Sequence, residues 1–198
     1  MTYLSEAVAR ARAGQSESAY DFLHNVSLGV EQALSDLRDR FDIFLSHSIR
    51  DAQLVLGVKR ILEDAGKSVY VDWVIDPQLD RNSITGETAK TLRERMAKCE
   101  ACFYLHSVHS KHSRWMPWEL GYFDGSNGNV AILPLISSSG EPSFVNEEYL
   151  EIYPKIDFTN LHERPSIYVN RSRRMEPGEF KRFDDWRTGT DKLRPNAS

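Results

Sequence analysis

The sequence has little cysteine and no long apolar run, and each absence narrows the class of protein. Two cysteines among 198 residues, and no basic-then-apolar N-terminal segment, predict a protein of the reducing cytoplasm without a disulfide framework. No apolar run approaches the ~18 residues that a membrane span needs. A net charge of −4 gives no reason to expect a nucleic-acid-coating protein. Hydrophobic and charged contents of 40% and 27% predict a globular chain.

Several catalytic motifs are absent as well. There is no Gly-x-x-x-x-Gly-Lys-Ser/Thr loop, and no Gly-x-Gly-x-x-Gly follows the first predicted strand. These absences argue against ATP hydrolysis of the usual kind and against a dinucleotide redox cofactor. The sequence also lacks a Gly-x-Ser-x-Gly elbow, which weakens a serine hydrolase interpretation.

One segment imitates a zinc site, with Cys99-x-x-Cys102 followed by His106 and His109. The spacing fits poorly, because only three residues separate the two pairs and part of the segment is a predicted strand with alternating side chains. We interpret the cysteines as buried apolar residues that close a helix before a strand. The three histidines, including His112, are predicted to be loop and rim residues. No metal site and no resident cofactor are therefore expected.

The chain divides into three parts. Residues 1–39 are predicted to be a helical extension, because one apolar stripe recurs at steps of three and four. Residues 40–158 form the main domain. Residues 159–198 are an Arg-rich extension, predicted to be partly irregular, in which 168–170 and 180–183 pack on the domain. The stripe consists of Leu23, Val26, Val30, Leu34 and Leu37.

The main domain alternates strand and helix patterns. A helix is predicted from Asp51 to Ala65, where Gly66 ends it, and a second one carries Ala89, Leu92 and Met96. This alternation predicts an α/β fold, namely a flavodoxin-like open parallel sheet of five strands with helices on both faces. The predicted strands are 41–46, 68–73, 101–105, 130–136 and 151–157.

Polar and aromatic residues follow three of the predicted strands. Because the carboxyl ends of parallel strands meet at one edge of a sheet, these residues are expected to line a common cleft. The residues are Ser46, His47, Ser48, Asp72, Trp73, Ser107 and His109.

Trp115 and Glu119 lie four residues apart, on one face of a predicted helix. Ser113 is the expected N-cap, and Pro117 is tolerated because it falls in the first turn. An aromatic ring beside a carboxylate could hold a flat, cationic ligand that carries a sugar. Alternatively, Trp115 and Trp118 are core anchors, and Glu119 is a carboxylate favoured by the helix dipole.

Four segments resemble, in order and spacing, the Toll/interleukin-1 receptor (TIR) domain, and most closely the stand-alone bacterial TIR proteins. They are Phe41-Asp-Ile-Phe-Leu-Ser-His-Ser, Asp51, Ser68-Val-Tyr-Val-Asp-Trp and Ser113-Arg-Trp-Met-Pro-Trp-Glu-Leu-Gly. The resemblance covers residues 40–158. It implies one of two functions: a scaffold that acts by TIR–TIR association, or an enzyme that cleaves NAD at the nicotinamide–ribose bond.

For the enzyme, the resemblance implies that Glu119 is the catalytic carboxylate, which would stabilise the cation that develops on the ribose. NAD would be the substrate and not a cofactor. The product would be ADP-ribose or a cyclic or rearranged ADP-ribose signal, made in defence against phage and sensed by a downstream effector. The resemblance implies substrate-binding roles for Phe44, Ser46, His47, Asp72, Trp73 and Trp115.

Self-association and a third possible function are expected as well. Self-association is expected because many TIR enzymes depend on it, and the Leu23–Leu37 stripe and the predicted loop Val74–Gly86 offer surfaces for it. A nucleoside-processing glycosidase or transferase on a similar sheet is a third possible function. No nucleic acid and no membrane are expected as partners.

Overall fold

The computed structural model describes residues 2–14, 40–76, 85–137, 147–161, 164–171 and 180–189. The strands are β1 (Leu4–Ser5), β2 (Phe41–Ser46), β3 (Val69–Tyr70), β4 (Cys99–His106), β5 (Val130–Ile136), β6 (Lys155–Thr159), β7 (Ser166–Asn170) and β8 (Phe180–Arg182). The helices are α1 (Glu6–Ala13), α2 (Ala52–Asp64), α3 (Asp72–Ile75), α4 (Gly86–Ala97), α5 (Trp115–Ser126) and α6 (Phe183–Thr188). Short 3₁₀ turns lie at Ile49–Asp51, Ser110–His112 and Glu148–Ile152.

The strands form one mostly parallel sheet in the order β3-β2-β4-β5-β6-β7-β8, and β1 pairs with β5. Strands β2 to β6 pair in parallel, whereas β7 and β8 are antiparallel. The predicted α/β class, with an open parallel sheet flanked by helices, is confirmed. The predicted count of five strands is wrong, because the described residues contribute eight. The additional strands come from both predicted extensions.

The central strands are buried on both faces. Ile43, Leu45 and Phe103 point to one face, and Phe44, Tyr104 and Ile132 point to the other. None of the six is more than 2% exposed. Such double burial is expected where helices cover both sides of a parallel sheet. It explains why these strands read in the sequence as continuous apolar runs.

The predicted end of α2 at Gly66 is confirmed. Gly66 adopts a φ of 79°, and its N–H donates to the carbonyl of Glu63 at 2.8 Å. A residue with left-handed backbone angles at this point donates its N–H to a carbonyl that has no partner within the helix. Glycine adopts these angles without strain.

The start of the chain is partly a strand, although residues 1–39 were predicted to be helical. Leu4 and Ser5 pair in parallel with Leu135 and Ile136 of β5, and the helix α1 follows them. Leu4 is fully buried beside β5, so tertiary pairing overrides the local helical preference of this short segment. The apolar stripe from Leu23 to Leu37 lies outside the described residues.

The C-terminal part packs on the domain, as predicted for residues 168–170 and 180–183. It does so as β7, β8 and α6, where Phe183 and Trp186 are 1% and 3% exposed. Phe183 meets Phe103 of β4 edge to face, with ring centroids 5.2 Å apart. Arg187 bonds both Asp42 and Glu100 and fastens α6 to the starts of β2 and β4. The boundaries at 39/40 and 158/159 stay predictions.

Both cysteines lie inside β4, so the prediction that they close a helix is wrong, whereas their predicted burial is confirmed. Both are unpaired thiols, and burial raises the pKa of Cys102 well above its ordinary value. Burial also raises the pKa of Cys99, against the opposing effect of Arg95. Neither thiol can therefore ionise readily. Among the described residues, no cluster of three His, Cys, Asp or Glu side chains is placed to hold a metal ion.

None of the helices in the described ranges is both long and apolar enough to cross a bilayer.

Candidate functional site

The centre of the sheet contains a topological switch point between β2 and β4. After β2 the chain moves to β3 on one side of it, and the later strand β4 lies on the other side. The connections that leave β2 and β4 therefore diverge and open a crevice at their carboxyl ends. In open α/β sheets this crevice is the usual place for a ligand.

Helix α5 starts directly beside this crevice. Arg114, which directly precedes the helix, has helical backbone angles and makes no capping bond with its side chain. Ser113 is extended, and its hydroxyl accepts a 3.3 Å hydrogen bond from the N–H of Met116, so Ser113 caps the first turn as predicted. Pro117 lies in that first turn, as predicted.

Glu119 is joined directly to the end of β2. The hydroxyl of Ser46 donates a 2.6 Å hydrogen bond to Oε2 of Glu119, and both residues are fully buried. The sequence predicted that these two residues share a cleft, and the structure brings them into contact. A carboxylate at this depth is costly unless it is hydrogen-bonded, so Glu119 is a candidate functional residue.

Phe44 packs beneath this pair. It lies two residues before Ser46 in β2, so both side chains point to the same face of the sheet. The Phe44 ring stacks on Tyr70 of β3, with centroids 5.4 Å apart and planes 17° from parallel. At 2% exposure, Phe44 forms the floor of the crevice.

His47, Asp72 and Trp73 form a second group at the same edge. The indole N–H of Trp73 donates to Nε2 of His47 at 2.6 Å, and Nδ1 of His47 lies 2.7 Å from the carbonyl of Leu45. Nδ1 therefore carries the proton in this arrangement. An Asp72 oxygen lies 3.4 Å from Nε2 of His47.

The prediction that Asp72 and Trp73 end a strand is wrong. Strand β3 stops at Tyr70, and both residues belong to the short helix α3. The helical backbone of α3 brings the Trp73 indole to His47. In a strand, Asp72 and Trp73 would point to opposite faces of the sheet.

Trp115 is mostly buried, at 8% exposure. Its ring meets Trp118 edge to face at 5.4 Å, and Trp118 in turn stacks on Tyr122 at 5.7 Å. Trp115 therefore packs as part of the hydrophobic core. The adjoining Trp118 is half-buried and offers more of its ring to a ligand.

Asp51 links the connections that follow β2 and β4. Its two oxygens accept from the hydroxyl of Ser107 at 2.5 Å and from Nδ1 of His109 at 2.6 Å. The Ser107 oxygen also accepts the backbone N–H of His109 at 3.0 Å. Sequence reasoning placed Ser107 and His109 at this edge and missed Asp51 as their common acceptor. Its position just after the first strand was the available signal.

His106 is not at the rim, as was predicted for the three histidines. It is 2% exposed, and its Nε2 lies 3.0 Å from Oε1 of Glu147. Burial lowers the pKa of His106, against the opposing effect of Glu147. The cause is the length of β4, which extends one residue past the predicted end and takes His106 into the sheet.

A further buried group surrounds Asp76 at the end of α3. Asp76 accepts from the Tyr70 hydroxyl at 2.6 Å and from two guanidinium nitrogens of Arg95 at 2.8 and 2.6 Å. Burial and the Asp76 carboxylate both raise the pKa of Tyr70. This network, which the sequence did not reveal, fixes the end of α3 against β3 and α4.

The geometry thus places a buried carboxylate, aromatic side chains and two histidine clusters around one crevice of a TIR-like sheet. Residues 43–167 match the family model described as TIR domain, so the chain belongs to the TIR domain family. It is 43% identical over 176 residues to a Bacillus cereus protein named as a probable 3′ cyclic ADP-D-ribose synthase, ThsB′. That match covers 86% of this chain and 89% of the relative.

A second relative is more distant. It is a Cytobacillus dafuensis protein named as a putative cyclic ADP-D-ribose synthase, TIR2, and it is 25% identical over 83 residues. This match covers 41% of this chain and 22% of the relative.

Proposed function

We propose that this protein cleaves NAD at the bond between nicotinamide and ribose and closes the remaining ADP-ribose into a cyclic product. The contact between Ser46 and the fully buried Glu119 at the switch point carries the proposal. A cyclic product is favoured over a linear one because both relatives are named as cyclic ADP-ribose synthases. In a cell the product would be a signal in defence against phage, sensed by a downstream effector.

The chemistry makes a modest demand on acid catalysis. Nicotinamide leaves as a neutral molecule, so the difficulty lies in the positive charge that develops on the ribose. A preorganised carboxylate in a water-poor site stabilises such a cation strongly. Glu119 takes this role and also accepts hydrogen bonds from ribose hydroxyls. NAD is then the substrate, and the reaction needs no cofactor.

The remaining residues would bind and orient the substrate. Ser46 would hold the Glu119 carboxylate in one orientation until a ribose hydroxyl replaces it. Phe44 would support the site from below, and Trp115 would fix its wall. His47, Asp72 and Trp73 would bound the side of the crevice next to β3 and make polar contacts to the sugar, amide or phosphates.

The experiment that tests the proposal is incubation of the purified chain with NAD, with products resolved by chromatography and mass spectrometry. We expect release of nicotinamide together with cyclic ADP-ribose. Free nucleosides serve as control substrates and should remain intact. Nucleoside cleavage without NAD cleavage would favour the nucleoside-processing alternative. No cleavage of either, at high protein concentration, would favour a scaffold that acts by TIR–TIR association.

Self-association is the second part of the proposal. Glu119 is fully buried in the single chain, so a dinucleotide cannot reach it until the crevice opens. Contact with a second copy would supply that opening. We expect specific activity, measured per molecule, to rise with protein concentration and to level off when assembly is complete. Constant specific activity over a wide concentration range, with a monomer throughout, would contradict this part alone.

A further inference from the structure

A second arrangement of catalytic type stands at the same crevice and has no part in the NAD cleavage proposed above. Asp51 accepts from Nδ1 of His109 at 2.6 Å, and Ser107 donates to the other Asp51 oxygen at 2.5 Å. Asp51 is 3% exposed, whereas the side chain of His109 keeps 40% exposure. A buried carboxylate therefore orients an imidazole that remains accessible to a ligand.

This contact fixes the tautomer of the neutral ring. An ionised carboxylate only accepts hydrogen bonds, so Nδ1 of His109 donates to Asp51, and Nε2 is the nitrogen with the free lone pair in the neutral imidazole. The same pairing of a carboxylate with a histidine prepares a general base in hydrolases. The Ser107 hydroxyl donates its hydrogen bond to the carboxylate, so the imidazole is the proton acceptor among the three side chains.

The position of the pair is set by the same two strands that hold Ser46 and Glu119. Ser46 pairs in register with Tyr104 of the neighbouring β4. Asp51 follows Ser46 by five residues and Ser107 follows Tyr104 by three, so the Asp51–His109 pair lies farther out beyond the carboxyl ends. A dinucleotide held at Glu119 would extend outward beyond the carboxyl ends of the strands, which is the side on which Asp51 and His109 lie.

We propose that His109 is the general base for ring closure, positioned by Asp51; this rests on the proposed function. In that step the bond from ribose C1 to nicotinamide nitrogen breaks, and nicotinamide leaves with the electron pair. A hydroxyl oxygen of the adenosine ribose forms the new bond to the same carbon, and its proton passes to Nε2 of His109. No oxidation or reduction takes place. The accepted proton later passes to solvent.

The base matters more for cyclisation than for hydrolysis. A water molecule that enters from solvent is accompanied by other water molecules, which accept its proton. A substrate hydroxyl enclosed in the crevice has no such route, so it needs a protein group that accepts the proton. Loss of the base should therefore shift the product from cyclic to linear, while the departure of nicotinamide, which needs no base, continues.

The test compares wild-type protein with His109→Gln and His112→Gln in the NAD assay, with nicotinamide, linear and cyclic ADP-ribose quantified separately. We expect His109→Gln to lower the cyclic-to-linear ratio by about tenfold or more, given that general bases contribute about 10²–10⁴-fold. His112, exposed at the end of the 3₁₀ turn that His109 precedes, is the matched control and should leave the ratio unchanged.

Asp51→Asn tests the positioning role. It should lower the ratio in the same direction, and Asp51→Asn combined with His109→Gln should lower it no further than His109→Gln alone, because residues that act as one unit are not additive. Should Asp51→Asn fail to fold, His109→Gln decides alone. The inference is overturned if folded His109→Gln keeps the cyclic-to-linear ratio of the wild type. It is also overturned if the wild type makes only linear product. Neither result contradicts NAD cleavage. No nicotinamide from the wild type overturns both.

Discussion

Replacement of Glu119 by Gln is expected to lower NAD turnover by about 10²–10³-fold while the fold stays intact. The amide keeps an oxygen where Ser46 now donates its 2.6 Å hydrogen bond, so the local packing should persist. It removes the negative charge that opposes the developing ribose cation. Nicotinamide release at saturating NAD measures the effect, and circular dichroism with thermal unfolding checks the fold.

Glu94→Gln is the matched control for this prediction. The substitution makes the same chemical change on an exposed face of α4, where the contact of Glu94 with Lys90 is long, at 3.9 Å. Its turnover should equal that of the wild type. If folded Glu119→Gln also kept turnover near the wild-type level, the carboxylate would not be the group that stabilises the cation.

Replacement of Gly57 by Ala is expected to destabilise the protein by about 1–3 kcal/mol, the usual cost of overpacking. A Cβ atom at Gly57 would lie 1.8 Å from the carbonyl oxygen of Ala9, so the backbones of α1 and α2 touch there. Arg60 adds hydrogen bonds of 2.8 and 2.7 Å to the carbonyls of Arg12 and Ala13. The methyl group must push α1 away from α2. Denaturant unfolding measures the loss, and faster proteolysis near the N-terminus would report the release of α1.

Gly121→Ala supplies the comparison. Gly121 lies within α5, and a Cβ there meets no atom within 4 Å. Alanine is the better helix former by about 0.5–1 kcal/mol, so this variant should be more stable than the wild type. Equal stabilisation by both substitutions would mean that α1 does not depend on close contact at Gly57.

The parallel centre of the fold could be predicted because its signals are local. Continuous apolar runs marked β2, β4 and β5, and helical spacing with a terminal glycine marked α2. The prediction failed for short elements. Residues 4–5 and 180–182 form strands only because another strand, β5 or β7, lies beside them. A segment of two or three residues carries no signal of such a partner.

The candidate site was predictable to a similar extent. The spacing of Trp115 and Glu119 placed them on one helix face, and the order of strands brought Ser46 and His47 to the same edge. The contact of His47 with Trp73 was not foreseeable, because it depends on Asp72 and Trp73 winding into a helix. The common acceptor role of Asp51 joins residues more than fifty positions apart along the chain. It follows only from the adjacency of β2 and β4.

The sequence by itself therefore determined the α/β class, the central strands and the position of Glu119 near a helix start, since each follows from periodicity and turn chemistry within short segments. Only the tertiary structure decided that Ser46 bonds Glu119, that His47 meets Trp73 and that Asp51 orients His109. These contacts join separate connections at the switch point. Their geometry depends on strand register and helix docking, which are set by burial across the whole sheet and not by neighbours in the chain.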